Sequence, residues 1–126
     1  MRAVDTNILV RLITRDDPKQ FPIAEAFVEK GAWVSTVVLA ETTWVLGTVY
    51  ELGHDEIATV VEMLLSHEHL SLQDAEVVSV ALDRYRDAPV LGFTDCLVLE
   101  IARKAGHLPL GTFDKRLDRI DGAARL

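Results

Sequence analysis

Four acids in this sequence sit where an apolar run gives way to an amphipathic one: Asp5, Glu41, Asp95 and Asp114. The first of them ends the stretch Ala3-Val4-Asp5-Thr6-Asn7, so a short apolar strand delivers a carboxylate and then, two residues on, a carboxamide. Taken singly, three have a structural use, because Asp5 is a solvated strand end, Asp95 complements a helix dipole and Asp114 caps a turn, as Asn7 caps a helix, whereas capping does not explain Glu41 on an apolar face. Taken together they pose an electrostatic problem. Two unpaired charges about 4 Å apart repel by about 4 kcal/mol at an effective dielectric of 20. If the fold gathers these acids at one end of a sheet, divalent cations or shifted pKa values must offset that repulsion.

Carboxylates without companion histidine or cysteine suit Mg2+ or Mn2+ rather than zinc. An acid cluster holding such ions activates water and stabilises a leaving oxygen in phosphodiester hydrolysis. On that reading Asp5, Glu41, Asp95 and Asp114 are the metal-holding, catalytic acids. Asn7 and Thr112 are neutral groups orienting water or phosphate, and Lys115, Arg116 and Arg11, with Arg15 and Arg119 adding to them, hold a nucleic-acid backbone or else form a solvated helix face. The competing readings are a magnesium-dependent phosphotransfer domain and a non-catalytic module whose acidic groove takes a basic peptide. A phosphotransfer site wants a second carboxylate near Asp5, and Asn7 stands there instead.

The elements that must position these residues follow from apolar spacing. Arg2 to Asp5 is predicted as a strand, with Asn7 capping a short helix over Ile8 to Ile13. A helix from Pro18 to Lys30 closes at Gly31, and Ala32 to Val34 forms a second strand. Ser35 or Thr36 caps a long helix reaching Leu52, in which Val38, Glu41, Val45, Val49 and Leu52 share a stripe and carry Glu41 onto the core face. Helices over Asp55 to Ser66 and Asp74 to Asp87 flank a strand at Leu70 to Leu72. Thr94 caps the next helix, with Asp95, Val98, Leu99, Ala102 and Ala105 on one stripe. Leu108 to Phe113 is a strand placing Leu110, Thr112 and Asp114 on one side, followed by a basic turn and a last edge strand over Ala123 to Leu126. Short strands separated by helices imply a parallel sheet covered on both faces, with ligands beyond the carboxyl ends of its strands.

A chain of 126 residues, 49% hydrophobic, is expected to be one domain spanning 1–126. Its net charge of -7 argues against binding nucleic acid by bulk attraction, so any nucleic-acid substrate would need a local basic patch or bound cations. The lone Cys96 cannot close an internal disulfide, and no run approaches a signal peptide or a membrane span. A cytoplasmic protein with no membrane partner is expected. Trp33 and Trp44, with Phe21 and Phe27, are expected in the core, a dimer face being the alternative, and His67-Glu68-His69 at the surface.

The order Val4-Asp5-Thr6-Asn7, then Glu41 after Val34-Ser35-Thr36, then Thr94-Asp95, then Gly111-Thr112-Phe113-Asp114, resembles a PIN domain. More narrowly it is similar to the VapC-type toxins of type II toxin–antitoxin pairs. The resemblance implies an α/β fold, a three-layer α/β/α sandwich with a short-stranded, mainly parallel central sheet. It implies a metal-dependent endoribonuclease in which Asp5, Glu41 and Asp95 match the core acids and Asp114 the more variable fourth. It also implies a homodimer held inactive by a cognate antitoxin protein. Cys96 stands where many relatives carry alanine, a small apolar filler beside Asp95.

Overall fold

Local chemistry sets the start of each helix in turn. Asp5 adopts an extended conformation, and its Oδ1 accepts the N–H of Ile8 at 3.3 Å, so α1 (Thr6–Thr14) begins one residue beyond the acid. The helix stops at Arg15 in the left-handed region (φ 53), before Asp16 and Asp17. Asp17 Oδ1 accepts the N–H groups of Lys19 and Gln20, both at 2.9 Å, and launches α2 (Gln20–Glu29). Ser35 Oγ accepts the N–H of Val38 at 3.1 Å and starts α3 (Thr36–Thr48).

The computed structural model describes residues 1–126, which form two compact units, Met1–Ala75 and Glu76–Leu126. The first contains β1 (Arg2–Ala3), β2 (Ala32–Val34) and β3 (Leu70–Leu72), all parallel in the order β1-β2-β3. Ala3 stands beside Trp33, and Ala32 beside Leu70. Each step from one strand to the next passes through two helices, α1 and α2, then α3 and α4 (His54–Ser66). Parallel neighbours require such long crossovers. In β2 and β3 burial alternates, with Ala32, Val34, Leu70 and Leu72 inside and Trp33 and Ser71 outside.

The second unit holds α5 (Ala75–Asp87, entering from the end of the first), α6 (Phe93–Ala105), β4 (Leu110–Thr112), a short turn of 3-10 helix (Leu117–Arg119) and β5 (Ala123–Arg125). β4 and β5 pair in parallel. The core carries Val78, Ala81, Leu82 and Tyr85 from α5, with Phe93, Leu97 and Leu99 from α6. Tyr85 and Phe93 meet edge to face at 5.8 Å between ring centroids. The molecule is thus the mixed α/β fold of short parallel strands that the sequence implies.

Several local expectations change. β1 ends at Ala3, because beyond it only Val4 N–H, at 3.1 Å from Trp33 O, continues the ladder before Asp5 turns the chain into α1. Asp5, not Asn7, caps that helix, since its side chain reaches the third N–H beyond it. α3 ends at Thr48 rather than Leu52. Gly92, not Thr94, precedes α6, and Asp95 Oδ2 reaches back to accept the Gly92 N–H at 3.2 Å.

The largest correction concerns α3, whose buried residues are Leu39, Thr42, Thr43 and Leu46, leaving Glu41 exposed. The helix is apolar nearly all round, so periodicity supports more than one core face. The two threonines are buried at little cost because their hydroxyls donate to Val38 O at 2.7 Å and Ala40 O at 2.9 Å. Trp44, opposite that face, is 63% exposed and Trp33 38%, so neither is a core residue.

Candidate active site

In the first unit the pivotal contact is between Thr6 and Glu41. Thr6 follows Asp5, lies buried in the first turn of α1, and donates its hydroxyl to Glu41 Oε1 on the second turn of α3. That bond draws the first helical turn after Asp5 to the carboxylate of Glu41. Asp5 and Glu41 are both exposed. Each commits one carboxylate oxygen to the protein, Asp5 Oδ1 to Ile8 N–H and Glu41 Oε1 to Thr6. The other oxygen of each has no protein donor.

Beside Asp5 opens a hollow of about 370 Å³ lined by Asn7, Ile8, Arg11, Gln20, Ile23 and Ala24. Arg11 is braced within it. Its Nε donates to Gln20 Oε1 at 2.6 Å and its Nη1 to Asp16 Oδ1 at 3.2 Å and to the Tyr50 hydroxyl at 3.4 Å. Tyr50 itself donates to Asp16 Oδ2 at 2.8 Å. The Tyr50 bond, ahead of the guanidinium, holds the Asp16 carboxyl below its usual range, and the same phenol raises Arg11.

In the second unit Asp95 sits in the first turn of α6, half-exposed, with Oδ2 on the Gly92 N–H and Oδ1 without a protein donor. A carboxylate in a first helical turn is favoured by the helix dipole. Asp114 follows β4, where Thr112 Oγ1 accepts its N–H at 3.0 Å. Arg116 takes both Asp114 oxygens, Nε to Oδ1 at 3.1 Å and Nη2 to Oδ2 at 2.9 Å, while its backbone N–H reaches Oδ1 at 2.8 Å. These bonds draw the Asp114 carboxyl down to about 2. Arg116 also feels the charge of Asp95, which places those three side chains in one neighbourhood. Lys115 is exposed.

The structure therefore sorts the sequence-predicted residues into two groups: Asp5, Asn7, Arg11 and Glu41 in one unit, and Asp95, Thr112, Asp114, Lys115 and Arg116 in the other. Within neither unit do three His, Cys, Asp or Glu side chains gather as a closed metal cage. What is present suits a hard cation all the same. Asp5, Glu41 and Asp95 each offer an oxygen that no protein donor occupies, and no imidazole or thiolate competes. Cys96, next to Asp95, is buried, and burial followed by the charge of Asp95 pushes its thiol up to about 11, so it offers no thiolate. Asp114 is the exception, since a cation there would have to displace Arg116.

Two residues of consequence are not evident from motif spacing. Thr6 could have been noticed as a hydroxyl between Asp5 and Asn7. Glu100 continues the buried stripe Phe93, Cys96, Leu97 along α6 and is 4% exposed. It is held by Arg103 Nε at 3.0 Å and faces Arg84 Nε at 3.6 Å, while its Oε2 lacks a hydrogen bond. His67 and His69 lie at the surface as expected, with the His69 N–H donated to His67 Nδ1 at 3.0 Å.

No helix is long and apolar enough to cross a membrane. Comparison with curated proteins and with solved structures gives no significant match. The profile of one family, described as PIN domain, matches residues 2–123 and so covers nearly the whole chain. PIN domains are generally nucleases and generally use divalent metals. The chain belongs to the PIN domain family.

Proposed function

We propose that this PIN domain is a metal-dependent endoribonuclease and the toxin of a toxin–antitoxin pair. The observation that carries the catalytic reading is the unspent oxygen on each of Asp5, Glu41 and Asp95, in a setting without imidazole or thiolate ligands. These three acids, with Asp114 as a fourth, are the set we assign to Mg2+ or Mn2+. A bound divalent ion supplies a more acidic water and charge stabilisation for the leaving oxygen of a phosphodiester.

The chain's own residues do the rest. The Thr6 hydroxyl fixes Glu41 in one rotamer, and the N-terminal turn of α1 fixes Asp5, so neither acid reorganises as charge builds up. Asn7 is a neutral donor and acceptor beside Asp5, able to orient a water or phosphate oxygen without adding negative charge. Arg11 and Lys115 offer cations to the RNA backbone. Arg116 spends its charge on Asp114 before substrate arrives, and a phosphate that drew the guanidinium to itself would free that acid.

The toxin assignment is supported by the Asp5-Thr6-Asn7 opening and the Thr112-Phe113-Asp114 close. The exposed carboxylates of Asp5 and Glu41 suit the basic segment of an antitoxin. The exposed apolar positions Val37, Trp44 and Val49 along and beyond α3 suit a homodimer.

The test is incubation of the purified protein with single-stranded RNA in Mg2+, in Mn2+ and in EDTA. Cleavage in either metal and none in EDTA supports the nuclease. RNA left intact in both metals rejects it. Growth arrest on expression, relieved by Asp95→Asn, would support the toxin role, and normal growth alongside demonstrable cleavage would separate the two.

A further inference from the structure

The hollow beside Asp5 has two helical walls. α1 contributes Asn7, Ile8 and Arg11, which share a face at helical spacing, and α2 contributes Gln20, Ile23 and Ala24, which do the same. The two helices pack on each other, so the faces form opposing walls. Ile23 is 70% exposed, and Ile8 is half-buried. Each wall therefore offers one aliphatic side chain that is not fully covered, Ile8 from α1 and Ile23 from α2.

The polar groups there are fixed in an unusual sense. A guanidinium N–H can only donate, so Gln20 must present Oε1 to Arg11 Nε, at 2.6 Å. That leaves the Gln20 amide NH2 as a donor with no partner in the protein. The Asn7 side chain is likewise without a protein hydrogen bond. Arg11, which lines the hollow, is held at Nε and Nη1, and its Nη2 has no protein acceptor. An aliphatic side chain on each wall, an unpartnered amide donor and one free guanidinium nitrogen describe a receptor for a flat group with acceptors on its edge and an anion attached.

We propose that this hollow is the seat of an unpaired nucleobase flanking the cleaved phosphodiester, with the base between Ile8 and Ile23 and its acceptor edge on the Gln20 amide. This assignment rests on the nuclease reading for its substrate, single-stranded RNA. At about 370 Å³ the hollow falls at the small end of ligand sites and suits one nucleotide rather than a helix of RNA. Sequence-selective proteins read RNA mainly at such splayed, unstacked bases. Uracil and guanine, which present the carbonyl oxygens O4 and O6 where cytosine and adenine present an amine, are the preferred occupants. Arg11 Nη2 takes the sugar or phosphate of the same nucleotide, and Asp5 lies at the end where the next phosphate would sit.

The proposal is tested by fluorescence anisotropy in EDTA, using labelled single-stranded tetraribonucleotides that differ at one base. No metal and no cleavage enter this measurement. Ile23→Glu, at a position too exposed for folding to depend on it, should weaken binding about tenfold, as loss of one base contact does, and Ile23→Val should restore it. Gln20→Glu keeps an oxygen on Arg11 but replaces the amide donor by a second oxygen. It should shift the ranking from uracil and guanine toward the amino-bearing adenine and cytosine. Unchanged affinity in Ile23→Glu, an unchanged base ranking in Gln20→Glu, or no RNA binding by the unaltered protein would each overturn the subsite. Manganese-dependent cleavage by the unaltered protein is scored separately, so base-selective binding without cleavage would discredit the nuclease reading and not the hollow.

Discussion

The hydroxyl of Thr6 is bonded to the carboxylate of Glu41, 35 positions further along the chain. A residue flanking the first acid of the motif thereby aims the second. Thr6→Val keeps the shape and deletes the donor, so Glu41 regains its rotamer freedom. Manganese affinity, measured by calorimetry, should fall about tenfold, the lower end for loss of a supporting partner of a metal ligand. Stability in urea should fall by only about 1 kcal/mol, the net worth of one hydrogen bond. A large stability loss with unchanged metal affinity would make Thr6 purely structural.

Arg116, by holding both oxygens of Asp114, draws that carboxyl from its ordinary 3.8 down to about 2. A folded-state value below the unfolded one stabilises the fold above the unfolded value, and that stabilisation is lost as pH falls from about 4 through about 2. Arg116→Gln should return the Asp114 midpoint toward 3.8 in a carboxyl NMR titration of metal-free protein. A midpoint still near 2 would mean that backbone donors, not the guanidinium, hold the charge.

How much of this was legible in the sequence differs by element. The strands at Ala32–Val34 and Leu70–Leu72 and the helix at His54–Ser66 announce themselves, because apolar runs there are bounded by polar or glycine residues. α3 does not. Its stripe through Val38, Glu41 and Val45 and its stripe through Leu39, Thr42 and Leu46 are both apolar enough to read as a core face, and only packing decides for the second. The same ambiguity put Trp44 inside on paper and outside in the fold. The acids were legible by type and position but their bonding was not. Whether Asp5 or Asn7 caps α1, and whether Asp114 is paired with Arg116 two residues on, depends on side-chain reach rather than on periodicity.

Glu100 is a buried acid that relies on its neighbours. Its side chain is 3% exposed, and Arg103, its closest partner, also donates to Asp121 O and so ties α6 to the loop before β5. Arg103→Ala leaves the carboxylate with Arg84 alone at 3.6 Å. Breaking a fully buried pair costs about 3–5 kcal/mol. Because Arg103 is 29% exposed, about 2 kcal/mol is expected in urea unfolding. A loss below about 0.5 kcal/mol, the range of ordinary surface substitutions, would show that Arg84 suffices.

The exposure of Trp44 makes a contrary prediction for a large aromatic residue. Trp44→Gln should change monomer stability by no more than about 0.5 kcal/mol by circular dichroism in urea. A loss of about 3 kcal/mol or more, as for a core aromatic, would return it to the interior.

The claim on which the rest depends is that the exposed acids of this PIN domain bind a divalent cation. Calorimetric titration of Mn2+ into the unaltered protein and into Asp5→Asn measures this without reference to any substrate. Saturable binding at or below millimolar metal, weakened at least tenfold by Asp5→Asn, is the predicted result. Absence of binding at millimolar Mn2+, or equal binding by both proteins, would contradict the account.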